Sequence, residues 1–218
     1  ETLERKYNLG ISSATIRNEM ASLTQLGFLK KGNLSAGRSP TSMGLKYYVR
    51  NLMTPKNMSV GDEIGVKEKV WNYRNEFEKL LKETTKELAQ KTRSLAIATT
   101  DQGSIYNYGA SNLLEEPEFY NIDVTKTVLS LLDNPNFWFD IINKAGINTE
   151  EPSSQLIHLL VGEDFGMEHL EPCGFVYQTY QAGPHRGILG VIGPARVRYQ
   201  VVIPVVDYFA ELISTITG

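Results

Sequence analysis

At 218 residues, with 41% hydrophobic and 22% charged side chains, the chain has the composition of a globular protein long enough to bury a core in one or two domains. No apolar run reaches the roughly 20 residues needed to span a bilayer, and the start shows no basic-then-apolar leader. The single cysteine, Cys173, excludes an intramolecular disulfide framework, so the cytoplasm is the expected compartment. The net charge of −3 divides unevenly: residues 1–55 carry eight basic residues against Glu1, Glu4 and Glu19, and the remainder is acidic. A small basic head on an acidic body is a footprint of a nucleic-acid-binding module.

In chain order, residues 1–53 read as short helices with a Gly/Ser-rich loop, residues 54–65 as a linker rich in turn formers, and residues 66–218 as a mixed domain. Glu1–Tyr7 and Ser13–Leu26 are expected to be helices joined by Asn8-Leu9-Gly10-Ile11, a turn that suits a helix-turn-helix. Ser12 is a good N-cap for the second helix and Gly27 a good stop. Ile16, Met20 and Leu23 should face the core, leaving Ala14, Arg17, Asn18 and Ala21 on the opposite face. Alanines let a backbone approach DNA, while arginine and asparagine can pair bidentately with guanine and adenine in the major groove. Ser13 and Thr15 are placed for phosphate contacts near the positive helix end.

Phe28 to Lys31 then reads as a short strand, and Gly32 to Arg38 as a hairpin wing. Lys30 and Lys31 would contact phosphate, and Arg38 would reach the minor groove or a phosphate. Thr41 can cap a helix over Ser42–Leu52.

The body should open with one long amphipathic helix over Val66–Arg93, with Val66, Val70, Tyr73, Phe77, Leu80 and Thr84 along one face. Glu78/Lys82 and Glu87/Lys91 would pair on its outer side. The heptad spacing suggests a partner helix, but packing on the protein's own sheet explains it as well. Strands are expected at Leu95–Thr100, Ser104–Tyr108, Leu156–Val161, Phe175–Tyr180 and Gly187–Ile192, and helices at Val124–Leu132, Phe137–Lys144 and Val201–Thr217. That mixture predicts an α+β domain with helices on an antiparallel sheet.

The stretch from Gly109 to Phe119 reads as a loop that Ser111 or Asn112 caps into a helix, with Phe119 as an aromatic anchor. Catalytic and metal chemistry find little support. His158, His169 and His185 are scattered, and Glu163, Asp164, Glu168 and His169 lack a helical or hairpin ligand spacing. Gly187, Gly190 and Gly193 mimic a phosphate loop but no lysine follows, so bends or close packing explain them better. Cys173 has no identifiable basic partner and reads as a small packed residue. No catalytic residue, metal site or cofactor is assigned.

Tyr7-Asn8-Leu9-Gly10-Ile11-Ser12-Ser13-Ala14-Thr15-Ile16-Arg17-Asn18-Glu19-Met20 resembles the recognition segment of the HrcA family. Leu26-Gly27-Phe28-Leu29 and Ser35-Ala36-Gly37-Arg38-Ser39-Pro40-Thr41 follow at the family's spacing. In the body, Gly109 to Phe119, Gly187 to Arg196, and Val206-Asp207-Tyr208 are similar to the family's regulatory domain.

The resemblance implies a winged helix-turn-helix followed by a GAF-like α/β regulatory and dimerisation domain. It implies a heat-shock repressor that binds, as a homodimer, an inverted-repeat DNA operator upstream of chaperone genes, with a GroEL-type chaperonin as a further partner and no membrane. The DNA-binding residues it points to are Ser13, Ala14, Thr15, Arg17, Asn18, Lys30, Lys31, Ser35 and Arg38. Two departures stand out: the chain opens inside the family's second helix, and only Asp101 to Tyr108 bridge Thr100 and Gly109, where the family carries a large insertion associated with dimerisation. Asn33, Leu34 and Ser39 differ from the commonest wing residues. Two alternatives stay open: release of DNA by a small molecule bound to the body, and an adaptor that binds protein rather than DNA.

Overall fold

The computed structural model of the chain describes residues 7, 10–31, 37–144 and 157–216. The expected helix over residues 1–7 and the wing tip with Ser35 lie outside the described residues, apart from Tyr7. The chain divides into two compact units, Glu1–Met53 and Thr54–Gly218.

In the first unit, α1 (Ser13–Gln25) is followed by the ribbon of β1 (Leu29–Lys31) and β2 (Arg38–Pro40), then α2 (Ser42–Asn51). Each junction is set by a local side chain. The Ser12 hydroxyl accepts from Thr15 N at 3.1 Å and starts α1. Gly27, at φ 81°, ends it: Gly27 N donates to Thr24 O and Phe28 N to Leu23 O, a Schellman motif that only a residue free of Cβ strain closes cheaply. The Thr41 hydroxyl caps α2 through Gly44 N at 3.1 Å and donates to Gly27 O at 2.6 Å, tying the two helix ends together.

The second unit is a five-stranded antiparallel sheet with helices on both faces. Its strands are β3 (Leu95–Thr99), β4 (Ile105–Tyr108), β5 (His158–Val161), β6 (Cys173–Ala182) and β7 (His185–Pro194), in the spatial order β4-β3-β7-β6-β5. On one face Leu95, Ile97, Phe175, Tyr177, Ile188 and Ile192 pack with α5 (Ile122–Leu132) and α6 (Pro135–Lys144) around the fully buried Trp138. The other face carries α4 (Phe77–Thr92) and α7 (Tyr199–Ile216). With helices on both faces, β3 is buried along its whole length, including Ala96 and Ala98. Such double coverage makes a strand read as a continuous apolar run.

α7 is long and apolar enough, by length and composition, to cross a membrane, although no 20-residue apolar run was expected. More than half of it is buried within the fold. The close approach at the centre depends on missing side chains: a Cβ on Gly187 would lie 1.8 Å from Thr99 O, and one on Gly190 2.5 Å from Val176 O.

Three expectations are corrected. The single helix over Val66–Arg93 is two helices, α3 (Val60–Trp71) and α4, separated by turns at residues 72–76. Asn72, Tyr73 and Asn75 are modest helix formers, and folding back lets α3 and α4 pack as an antiparallel pair. α3 also starts six residues earlier than expected, because the Ser59 hydroxyl caps it through Asp62 N at 3.2 Å. Glu87 and Lys91 do not pair with each other: Glu87 is buried and binds Lys69, while Lys91 binds Asp62. Neither Ser111 nor Asn112 caps a helix, since residues 110–115 form a 3-10 turn and Asn112 Nδ2 donates to Ser94 O at 3.1 Å instead. Phe119 is buried as the expected anchor.

Candidate nucleic-acid interface

α1 supplies a face of small and hydrogen-bonding side chains because its apolar residues fall on the other side. Ile16 is buried and Met20 half-buried, whereas Ala14, Arg17 and Asn18 are exposed and Ala21 is half-buried. Leu23, expected in the core, is 39% exposed; it lies in the last turn of α1, past the point where Ile16 anchors the helix. No acidic residue occupies the first turn of α1, so the partial positive charge of its free N–H groups is uncompensated by side chains.

The predicted contacts near that end are not alike. Ser13 is half-buried and Thr15 exposed. The Thr15 hydroxyl shares a 2.9 Å hydrogen bond with the Ser12 hydroxyl, so it is held in the cap and reaches a phosphate only as part of that pair. Asn18 leaves its side-chain amide outward while its carbonyl accepts from Ser22 Oγ at 3.1 Å.

The ribbon brings cations together. Lys30 faces Ser39 and Lys31 faces Arg38 in register, which sets two positive side chains at the end of the ribbon where β1 leads on to β2. Lys30 and Lys31 are exposed, and Arg38 is half-buried. Arg38 Nε is buried with no hydrogen-bond partner among the described residues. An unpaired guanidinium nitrogen beside a lysine is an arrangement that an external anion would satisfy. Nothing in the sequence pattern foretold that orphaned nitrogen, because it depends on the packing under the ribbon.

Among the described residues no group of three His, Cys, Asp or Glu side chains could hold a metal ion. Cys173 is buried, and burial, with Glu171 and Glu118 nearby, pushes its thiol up to about 12, which keeps it protonated and a poor nucleophile. His158 stacks on Tyr177 at 4.9 Å and His185 on Phe77 at 4.2 Å, so both rings serve packing. Arg196 clamps the turn at residues 116–118: its Nε and Nη2 donate to Glu118 at 2.6 and 2.9 Å, and Nη2 to Glu116 at 2.6 Å. A cleft of about 450 Å³ opens where Phe77, Gln102, Ser104, Tyr106 and His185 meet.

Comparison with known proteins bears on both units. Residues 61–203 match the family described as HrcA protein C-terminal domain. The heat-inducible transcription repressor HrcA of Desulforamulus reducens is 24% identical, with the match covering 98% of this chain and 89% of the relative. Its counterpart in Carboxydothermus hydrogenoformans is 22% identical, covering 100% and 91%. The alignment with the first runs over 314 positions, well beyond the 218 residues of this chain, so a long part of that relative stands opposite gaps. A crystal structure described only as a hypothetical protein shares the fold, with a TM-score of 0.62 at 15% identity, covering 96% of this chain and 90% of that one.

Proposed function

The chain belongs to the HrcA family, whose curated relatives are named heat-inducible transcription repressors, and from that premise we propose that it represses heat-shock genes by binding an inverted-repeat operator as a dimer in the cytoplasm. Its second unit has the family's GAF-like fold of an antiparallel sheet between helices. The reading rests most on one observation: an exposed face of Ala14, Arg17 and Asn18 beside the acid-free start of α1, with Lys31 and Arg38 paired on the neighbouring ribbon.

In this reading Arg17 and Asn18 contact base edges in the major groove, Ala14 allows close approach, and Ser13 and Thr15 touch phosphate. Lys30, Lys31, Ser35 and Arg38 hold the backbone flanking the groove. One helix reads only a few base pairs, so a dimer on two half-sites about 34 Å apart supplies the remaining specificity. A GroEL-type chaperonin is a further proposed partner. Repression by occupancy needs no catalytic group.

The second unit's cleft favours one other reading, in which a small molecule rather than heat releases the DNA. Against it stands the filled core, with Leu80, Leu95, Phe119, Trp138, Phe175 and Phe209 fully enclosed. A gel shift of the protein on its own chaperone promoter, scanned over temperature, tests the main proposal. Specific retardation that disappears on warming is expected; equal binding to scrambled DNA would refute it.

A further inference from the structure

The cleft of the second unit opens between the start of α4, the turn joining β3 to β4, and the start of β7. Three rings line it, those of Phe77, Tyr106 and His185. Its volume of about 450 Å³ lies within the roughly 300–1,000 Å³ usual for small-molecule sites. Phe77 stacks on His185 with centroids 4.2 Å apart and planes 10° from parallel, and the buried Tyr180 packs on Phe77 at 6.4 Å. The turn is equally fixed. Thr100 N donates to Ser104 O at 3.0 Å, Ser104 N to Thr100 Oγ1 at 3.1 Å, and Gly103 N to Thr100 O at 3.0 Å. A recess already built in this way costs an incoming ligand little ordering of the protein.

We propose that this cleft binds a neutral, planar heteroaromatic ring whose edge sets a hydrogen-bond donor beside an acceptor, as a free purine base does. The three rings favour a flat aromatic ligand, which gains packing beyond its buried area. Gln102, exposed on the turn with no hydrogen-bond partner among the described residues, supplies the matching edge. Its amide offers one donor beside one acceptor, the pattern that pairs bidentately with N6 and N7 of adenine. Turned over, the same amide serves the lactam edge of hypoxanthine. Charge argues against an ionic ligand. Glu76 pairs with Lys79 at 2.5 Å, and Lys82, one turn beyond Glu78, holds its ammonium 5.7 Å from the Tyr106 ring centroid. Asp101 N donates to Arg186 O at 2.8 Å, which brings one further acid beside one further base. With the signs balanced around the cleft, neither a cation nor a phosphate gains a net attraction. The remainder of the second unit is acidic, which further disfavours a nucleotide or a nucleic-acid strand against the free base.

The proposal gives a ligand class to the small-molecule reading of this cleft. It rests on the cleft alone, and the DNA-binding face of the first unit plays no part in it.

An NMR titration of the isotope-labelled full chain without DNA reads binding separately from operator binding. Adenine and hypoxanthine are the ligands, and indole is a comparator with two fused rings but no ring acceptor. Both bases are expected to bind with a dissociation constant of about 0.1–1 mM. The shifts should centre on the Gln102 side-chain amide, Phe77, Tyr106 and His185. Indole should bind about fivefold more weakly or worse. Gln102→Leu should weaken adenine by about fivefold or more and leave indole unchanged, whereas His185→Ala should weaken all three by removing part of the stack. Gln102 is exposed and unpartnered, so its variant keeps the fold whatever His185→Ala does. No saturable shift with either base, indole bound as tightly as adenine, or a Gln102→Leu variant with unchanged adenine affinity would each overturn the proposal. A chain that binds adenine here but retards no operator in a gel shift would bear the site out and overturn the DNA-binding reading alone.

Discussion

Lys69 and Glu87 are joined by two 2.8 Å hydrogen bonds from one ammonium to both carboxylate oxygens. In an unbroken helix these residues would stand about 27 Å apart. The pair therefore both reports and reinforces the fold-back of α3 onto α4. Lys69 keeps its stem in solvent at 56% exposure, while Glu87 is only 3% exposed.

That asymmetry sets the outcome of mutating either side. Lys69→Met strands a buried carboxylate and should cost about 1–3 kcal/mol. Glu87→Leu should cost less, since Lys69 simply returns to water. Urea unfolding of both variants checks the order; equal midpoints for the two would contradict it.

Gly187→Ala should be among the most damaging single changes in the second unit. Its new methyl would meet Thr99 O at 1.8 Å and Tyr180 Oη at 2.6 Å, where Tyr180 itself donates to Thr99 O at 2.7 Å. Either β7 moves away from β3 or that buried hydrogen bond is lost. A loss of about 3 kcal/mol or more is expected in thermal or urea unfolding. A stability within experimental error of the wild type would mean that the strands are not packed this closely.

What the sequence disclosed and what it hid divide along the range of the interactions. Ser12, Gly27 and Thr41 act on backbone groups within a few residues, and each starts or stops a helix where its chemistry says it should. The strands were legible from their β-rich runs, although β6 and β7 extend further, from Cys173 to Ala182 and from His185 to Pro194, because pairing with neighbours on both sides prolongs them. The break at residues 72–76 was hidden, since Tyr73 and Phe77 continue the apolar spacing through it. Placing Arg38 beside Lys31 required only a hairpin. Its buried, partnerless Nε required the packing beneath it.

His158 lies half-buried on β5 against Tyr177, and burial lowers its pKa from the ordinary value of 6.5. A base whose folded pKa is depressed binds fewer protons when folded than when unfolded. Its contribution is thus fully present above about pH 6.5 and is lost as the pH falls through the lower folded value. The second unit should be less stable at pH 5 than at pH 7, and His158→Phe should flatten that part of the profile while keeping the stack. Parallel profiles for the two proteins would place the pH sensitivity elsewhere.

Arg17 and Lys31 separate the two kinds of contact that an operator-binding head needs. Arg17 is exposed on the α1 face without a charged neighbour in the first turn, so its proposed role is to read a base edge. Arg17→Ala should weaken operator binding by about 1–3 kcal/mol and leave non-specific binding nearly unchanged. Lys31 sits in register with Arg38 on the ribbon, where it would contact phosphate and carry no sequence information. Lys31→Ala should weaken operator and scrambled DNA alike, and reduce the slope of log affinity against log salt by roughly one. Fluorescence anisotropy titrations of both variants on both DNAs, at several salt concentrations, distinguish these effects. If Arg17→Ala lowers both affinities equally, α1 lies on the backbone rather than in the groove, and specificity must come from another element.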